Sequence, residues 1–240
     1  MKKAMIVSNP FLPANSPGVR RSVSFIKQLR NYGWEPVVLT RAMAAADSSE
    51  DPRELEIPDG MDIYRTNSWE PEELLGVLGR AGKLLGERLL APDGQRLWEI
   101  FARRKAARIV KYDGIDLVFT SSPPKSAHLL GLYLKNRFPH IPWIADIRAE
   151  SPADPEDARL RRSSFKAGVE KRADRRVCEK ADCIVTDSEG ILNAVLENSK
   201  IQGIGERCFT IPDGHAEELS GVFEKSCRSL AARRMANGAG

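Results

Sequence analysis

The stretch that decides the fold is Ala4-Met5-Ile6-Val7-Ser8-Asn9-Pro10-Phe11-Leu12-Pro13-Ala14-Asn15-Ser16-Pro17-Gly18-Val19-Arg20-Arg21. It begins as a short apolar run, breaks at Asn9-Pro10, and turns into an amphipathic pattern near Gly18. Val19, Val23, Ile26 and Leu29 then recur at helical spacing, and Gly33 supplies a helix stop. Pro36–Thr40 resumes as a second apolar run. A strand, a loop, a helix and a strand in that order form a unit whose strands lie parallel.

The alternation continues outward from this unit. Further strand candidates are Asp62–Thr66, Asp116–Thr120, Trp143–Asp146, Cys183–Asp187 and Cys208–Ile211. Most are apolar at consecutive positions, as strands buried on both faces are. Asp62–Thr66 is polar and is expected at an edge. Helical patterns cover Glu70–Leu90, Arg96–Tyr112, Lys125–Arg137, Arg159–Ala181, Gly190–Asn198 and Glu217–Met235. The expected fold is α/β, a Rossmann-like doubly wound domain with a mostly parallel sheet of about seven strands. In such sheets ligands bind outside the carboxyl ends of the strands.

Composition narrows the function classes. The 240 residues are 42% hydrophobic and 29% charged, enough for a core. A net charge of 37 minus 33, or +4, is too modest for a dedicated nucleic-acid binder. The cysteines Cys178, Cys183, Cys208 and Cys227 lack CxxC spacing, so no zinc site is expected and reduced, cytoplasmic thiols are. The apolar run after Lys2 and Lys3 is too short for a signal peptide, and no run reaches membrane-spanning length.

Three loops at strand ends carry candidate chemistry. Gly18 opens a helix whose free N–H groups suit an anion, and Arg20 and Arg21 add charge; a proline-stiffened turn is the plain alternative. Thr120-Ser121-Ser122-Pro123-Pro124-Lys125 offers a second anion or sugar-hydroxyl site, with Ser122 as a helix cap and His128 one turn into the helix. A lone helical histidine is more often packed than catalytic. Asp146, ending a buried strand, can hold or deprotonate a hydroxyl, and Arg148 can bind phosphate; a structural ion pair is the alternative. In Leu74–Leu90, Leu74, Val77, Leu78, Ala81, Leu84, Leu85 and Leu89 share one helical face, suited to a core or to a membrane surface.

These motifs together resemble family 4 glycosyltransferases. The resemblance runs from the 6–21 segment through Gly33–Thr40, Asp116–Pro124, Ile141–Arg148 and Ala181–Thr186 to Ile211-Pro212-Asp213-Gly214. It implies the amino-terminal, acceptor-side half of a GT-B fold, with residues 1–214 as the domain and 215–240 as a carboxyl-terminal helix or tail where the donor domain would begin. It implies a retaining transfer from a nucleotide sugar to a glycan or lipid-linked acceptor, with no metal and no other cofactor. The residues themselves make Asp146 and His128 the catalytic candidates, and the resemblance places the Gly18 loop near the donor phosphates and Ser121–Pro124 and Asp146–Arg148 along the cleft. Gly18, Arg20, Ser121, Ser122, Lys125 and Arg148 are the acceptor and phosphate contacts.

Two departures stand out. Relatives continue the Asp146 motif as Asp-Phe-Arg-Asp-x-Trp, whereas this chain reads Ile147-Arg148-Ala149-Glu150-Ser151. Relatives carry Ile-Pro-Asn-Gly where this chain has Asp213. The Arg/Ala-rich end after Ser226 is read as an out-of-frame tail or as a closing helix. An isolated chain of this kind is expected to be inactive, with a non-catalytic subunit or glycan-binding module as the alternative. No nucleic-acid partner is expected, and peripheral contact with the inner membrane face would run through Leu74–Leu90.

Overall fold

The computed structural model describes residues 1–12, 17–42, 60–67, 95–148 and 164–238. Glu70–Leu90, Ala149–Asp157 and most of Ala42–Asp51 lie outside them. Among the described residues seven strands form one sheet: β1 (Lys2–Val7), β2 (Trp34–Arg41), β3 (Asp62–Thr66), β4 (Ile115–Ser121), β5 (Trp143–Ile147), β6 (Cys183–Thr186) and β7 (Cys208–Thr210). Six α-helices are described: α1 (Pro17–Leu29), α2 (Arg96–Tyr112), α3 (Ser126–Arg137), α4 (Ser164–Lys180), α5 (Glu189–Ser199) and α6 (Ala216–Gly238).

The strand order is β3-β2-β1-β4-β5-β6-β7, and every neighbouring pair is parallel. The order reverses between β1 and β4, which makes the crevice beside their carboxyl ends the topological switch point. Asp62–Thr66 is the edge strand that its polarity led us to expect. It is half exposed, and the Tyr64 hydroxyl donates to Asp113 Oδ2 at 2.7 Å. That bond raises the Tyr64 pKa to about 12.

Alternate side chains of each strand feed opposite cores. Ala4 and Ile6 of β1 join Val19, Val23, Ile26 and Leu29 of α1 and Leu219, Val222 and Phe223 of α6. Met5 and Val7 join the other layer, with Trp98 and Ala102 of α2, Leu130 and Leu134 of α3, and Val177 of α4. The two-residue period of the strands and the 3.6-residue period of the helices therefore meet on both faces. Gly33 terminates the α1 segment at φ 81°, where its N–H donates to the Arg30 carbonyl. Only glycine adopts that geometry without steric cost, and the chain then enters β2 at the buried Trp34.

Phe223 anchors α6 against the sheet. Its ring centroid lies 5.3 Å from Trp34, 5.5 Å from Phe119 and 5.8 Å from Phe25. The rings meet edge-on or tilted, the arrangements that aromatic quadrupoles favour. Among the described residues no helix is long and apolar enough to cross a membrane.

Candidate functional site

Parallel strands align their carboxyl ends, so the residues that finish β4 and β5 must share a rim. Ser121 and Asp146 are register partners across these two strands. The Ser121 hydroxyl donates to Asp146 Oδ2 at 2.7 Å. Asp146 Oδ1 receives Arg148 Nε at 2.6 Å. The chain has room to turn Arg148 back on Asp146 because β5 ends at Ile147.

The cluster closes into a ring. Arg148 Nη1 donates to Asp213 Oδ1 at 3.0 Å, and Arg21 Nε lies 3.6 Å from the same oxygen. Arg21 Nη2 in turn donates to Ser121 Oγ at 3.3 Å. Five residues from α1, β4, β5 and the loops after β5 and β7 are thus tied in one circuit. Asp187, after β6, adds a carboxylate 3.8 Å from Arg148 Nη1. Two guanidinium groups and two carboxylates balance within the ring, as burial of charge demands.

Asp146 is 2% exposed and Arg148 8%. Burial pushes the Asp146 carboxyl pKa upward, and Arg148, Arg21 and the Ser121 hydroxyl pull against it. Asp213 is different: its side chain is 59% exposed and stands at the mouth of a cavity. That cavity, of about 360 Å³, lies between α1 and the start of α6. Arg20, Arg21, Ser121, Asp146, Arg148 and Asp213 are among its polar lining residues, and Phe25 and Leu219 are among its apolar walls. Gly214, at φ 91°, forms the turn that carries Asp213 to the mouth.

Ser122 does not cap the following helix, which is where we expected it. Its hydroxyl accepts the Arg148 N–H at 3.2 Å and lies 3.4 Å from the Asp146 carbonyl, while its own N–H donates to that carbonyl at 3.0 Å. It clips β4 to β5 instead. Pro123 and Pro124 carry the chain past it, and α3 starts at Ser126 with Lys125, already helical and making no side-chain capping bond, at its cap position.

Ser121, Ser122, Asp146 and Arg148 thus come together, and Arg20 joins them along the cavity. Gly18 sits in the first turn of α1. Lys125, His128 and Ser122 line a second cavity of about 580 Å³ between α3, α4 and α5, and Arg148 stands in the wall shared by both cavities. Lys125 Nζ pairs with Asp174 at 3.1 Å and Glu170 at 3.7 Å. His128 Nδ1 lies 2.8 Å from Thr120 Oγ1, which also accepts Trp143 Nε1 at 2.9 Å. Its Nε2 is buried without a partner among the described residues. Burial, with Lys125 nearby, lowers the His128 pKa to about 3, so its ring is neutral at physiological pH.

Asp213 and Asp187 were not among the candidate residues. Asp213 had one signal, an aspartate where relatives carry asparagine, but the Asp-Gly pair reads first as a turn.

An open parallel sheet whose order reverses at a switch point defines a Rossmann-like α/β domain. The family model described as glycosyl transferase 4-like domain matches residues 18–204, most of the chain. The chain belongs to that family, and its fold is that of the amino-terminal half of GT-B glycosyltransferases. No curated protein matches the chain significantly.

Solved structures share the fold at low identity. The chain is similar to UGT2 of Phytolacca americana, in complex with UDP-2-fluoro-glucose and pterostilbene, at 12% identity and a TM-score of 0.52, covering 88% of this chain and 53% of that one. Sucrose-phosphate synthase of Thermosynechococcus elongatus is similar at 17% identity and a TM-score of 0.49, with 88% and 48% covered. MnaA of S. aureus bound to UDP is similar at 13% identity and a TM-score of 0.48, with 89% and 44% covered. The chain spans about half the length of these structures.

Proposed function

We propose that this chain is the acceptor-side domain of a retaining glycosyltransferase. The donor is a nucleotide sugar and the acceptor a glycan or a lipid-linked sugar. The observation that carries the reading is the buried Asp146–Arg148 pair opening, at the switch point, onto a cavity lined by Arg20 and Arg21. A carboxylate held by Ser121 and Arg148 is oriented to accept a hydrogen bond from an acceptor hydroxyl. Drawing that proton toward the Asp146 carboxylate leaves electron density on the hydroxyl oxygen and raises its nucleophilicity. The guanidinium groups suit a phosphate, because their fork geometry matches its oxygens. His128 stands behind the wall of this cavity, so its support for the site is through Thr120 and Trp143.

The isolated chain is proposed to bind without turning over. Sugar transfer needs donor and acceptor held together, and a displacement of about 1 Å already costs a large part of the rate. The test is saturation-transfer NMR of the 240-residue chain with nucleotide sugars and oligosaccharide acceptors, alongside a transfer assay. We expect saccharide or nucleotide signals that weaken in Arg21→Gln, and no product. Product formed by the chain alone overturns the inactivity. Ligand signals indifferent to Arg21→Gln, or none at all, overturn the site.

A further inference from the structure

Helix α2 presents two unlike faces. Trp98, Glu99, Ala102, Ala106, Ile109 and Val110 are buried against the sheet and α3. At 100° per residue, Ile100, Phe101, Arg104, Lys105, Arg108, Lys111 and Tyr112 fall within one outward arc. Ile100 is 40% and Phe101 51% exposed, and neither belongs to either core. The four cations follow them along the helix.

Nothing on α2 neutralises this arc. Its one acidic residue, Glu99, is fully buried and is held by Arg96 and Arg103. Asp113, just past the helix, is taken by Tyr64. Lys105 stands 4.5 Å from the Tyr64 ring centroid and Lys111 5.0 Å from that of Tyr112, contacts that leave their charge intact. A merely solvated helix face mixes charges of both signs and exposes few large apolar side chains. An apolar pair beside a single-signed basic face is instead the pattern of a helix that lies on an anionic lipid surface.

The position of the helix adds to this. α2 starts next to Gln95, whose side-chain oxygen accepts from Asn9 in the loop after β1. Trp98 Nε1 donates to Thr66 at the end of β3. Ile100 and Phe101 therefore lie toward the carboxyl end of the sheet, the end that carries Asp146.

We propose that the outward face of α2 docks this domain on an anionic phospholipid bilayer. Ile100 and Phe101 enter the headgroup boundary, and Arg104, Lys105, Arg108 and Lys111 meet lipid phosphates. The proposal goes beyond sugar transfer and requires neither donor nor acceptor. It also assigns membrane contact to a helix other than Leu74–Leu90. A single-stranded nucleic acid would use the same cations and stack a base on Phe101, but it gives no role to the aliphatic Ile100 beside it.

The test is co-sedimentation of the full chain with phosphatidylcholine vesicles, with and without a one-third share of phosphatidylglycerol. Binding is expected only with the anionic lipid, and it should weaken as salt is raised. Arg104→Glu/Arg108→Glu should lower the partition coefficient at least about tenfold, since each basic residue near such a surface is worth roughly fivefold. Ile100→Gln/Phe101→Gln should lower it about tenfold while leaving the net charge unchanged. The charge-matched control Lys27→Glu/Arg172→Glu, on other helices, should bind at least as well as either α2 variant and lose less than threefold. Unchanged thermal melting confirms that each exposed variant folds. Equal binding by the wild type and both α2 variants overturns the proposal, as does absence of binding to anionic vesicles. A loss in the charge variant alone, matched by binding to single-stranded RNA, also overturns it in favour of a nucleic-acid partner. None of these outcomes depends on whether the chain binds a saccharide.

Discussion

Arg148 turns back on Asp146, two residues upstream, so that Nε sits 2.6 Å from Oδ1 with both side chains about 95% or more buried. A pair this dry is poised between its mutual attraction and the loss of water by both partners. Removing only Arg148 leaves the Asp146 carboxylate with the Ser121 hydroxyl and the more distant Arg21. Arg148→Ala should therefore cost about 3–5 kcal/mol in urea unfolding. Asp146→Asn/Arg148→Met removes both charges, and it should recover most of that loss. A double variant no more stable than the single one would show that the pair is not the source of the effect.

Asp213 accepts from Arg148 Nη1 at 3.0 Å while its own side chain remains largely in solvent. An anionic ligand in this cavity has to compete with that carboxylate for Arg148 and Arg21. Asp213→Asn removes the competing charge and keeps an acceptor of the same shape. We expect UDP and inorganic pyrophosphate to bind the variant roughly three- to tenfold more tightly by calorimetry at low salt, with the gain shrinking as salt screens the site. Affinity unchanged or reduced in Asp213→Asn would place the anion elsewhere.

Much of the fold is legible in the sequence. The described strands and helices follow from periodicity, since apolar runs buried on both faces and stripes at 3.6-residue spacing leave direct traces in sequence. Arg96–Tyr112 and Asp62–Thr66 have the boundaries expected for them. The grouping of Ser121, Asp146 and Arg148 was legible too, because parallel strands bring their carboxyl ends to one rim. Ser122 was misassigned for a physical reason: a serine before two prolines resembles a cap, but it lies four residues ahead of Ser126, where the helix starts, and serves the β4–β5 seam instead. The role of Asp213 was not legible. Its partners Arg21 and Arg148 lie far away in the chain, and no local pattern encodes a contact that only the sheet order creates.

Gly131 lies in the middle of α3, where glycine costs about 1 kcal/mol relative to alanine. The reason is the Trp143 indole. A Cβ at position 131 would fall 2.3 Å from Trp143 Nε1 and 2.4 Å from Cε2. Trp143 is 1% exposed and holds its N–H on Thr120, so the ring has little room to retreat. Gly131→Ala should thus destabilise by about 1–3 kcal/mol despite its better helix propensity. It should also shift tryptophan emission as the indole moves away from Thr120. A stabilised variant would mean that α3 and β5 separate freely.

His128 gives the domain a signature in acid. Its pKa is near 3 in the fold, against an ordinary value of 6.5, with burial as the main cause and Lys125 as the lesser one. The unfolded chain takes up a proton at this histidine below pH 6.5 and the folded chain does not until about pH 3. The stability present above the unfolded value is therefore lost progressively as pH falls through this window. One proton of difference corresponds to about 1.4 kcal/mol per pH unit. His128→Leu removes that proton together with Nε2, which has no partner among the described residues. It sacrifices the Thr120 contact, so its stability at pH 8 need not exceed that of the wild type. The informative quantity is the slope: urea midpoints measured from pH 8 down to pH 4 should fall less steeply for His128→Leu than for the wild type. Parallel slopes would mean that the imidazole titrates in the folded chain much as it does in water, with solvent reaching Nε2.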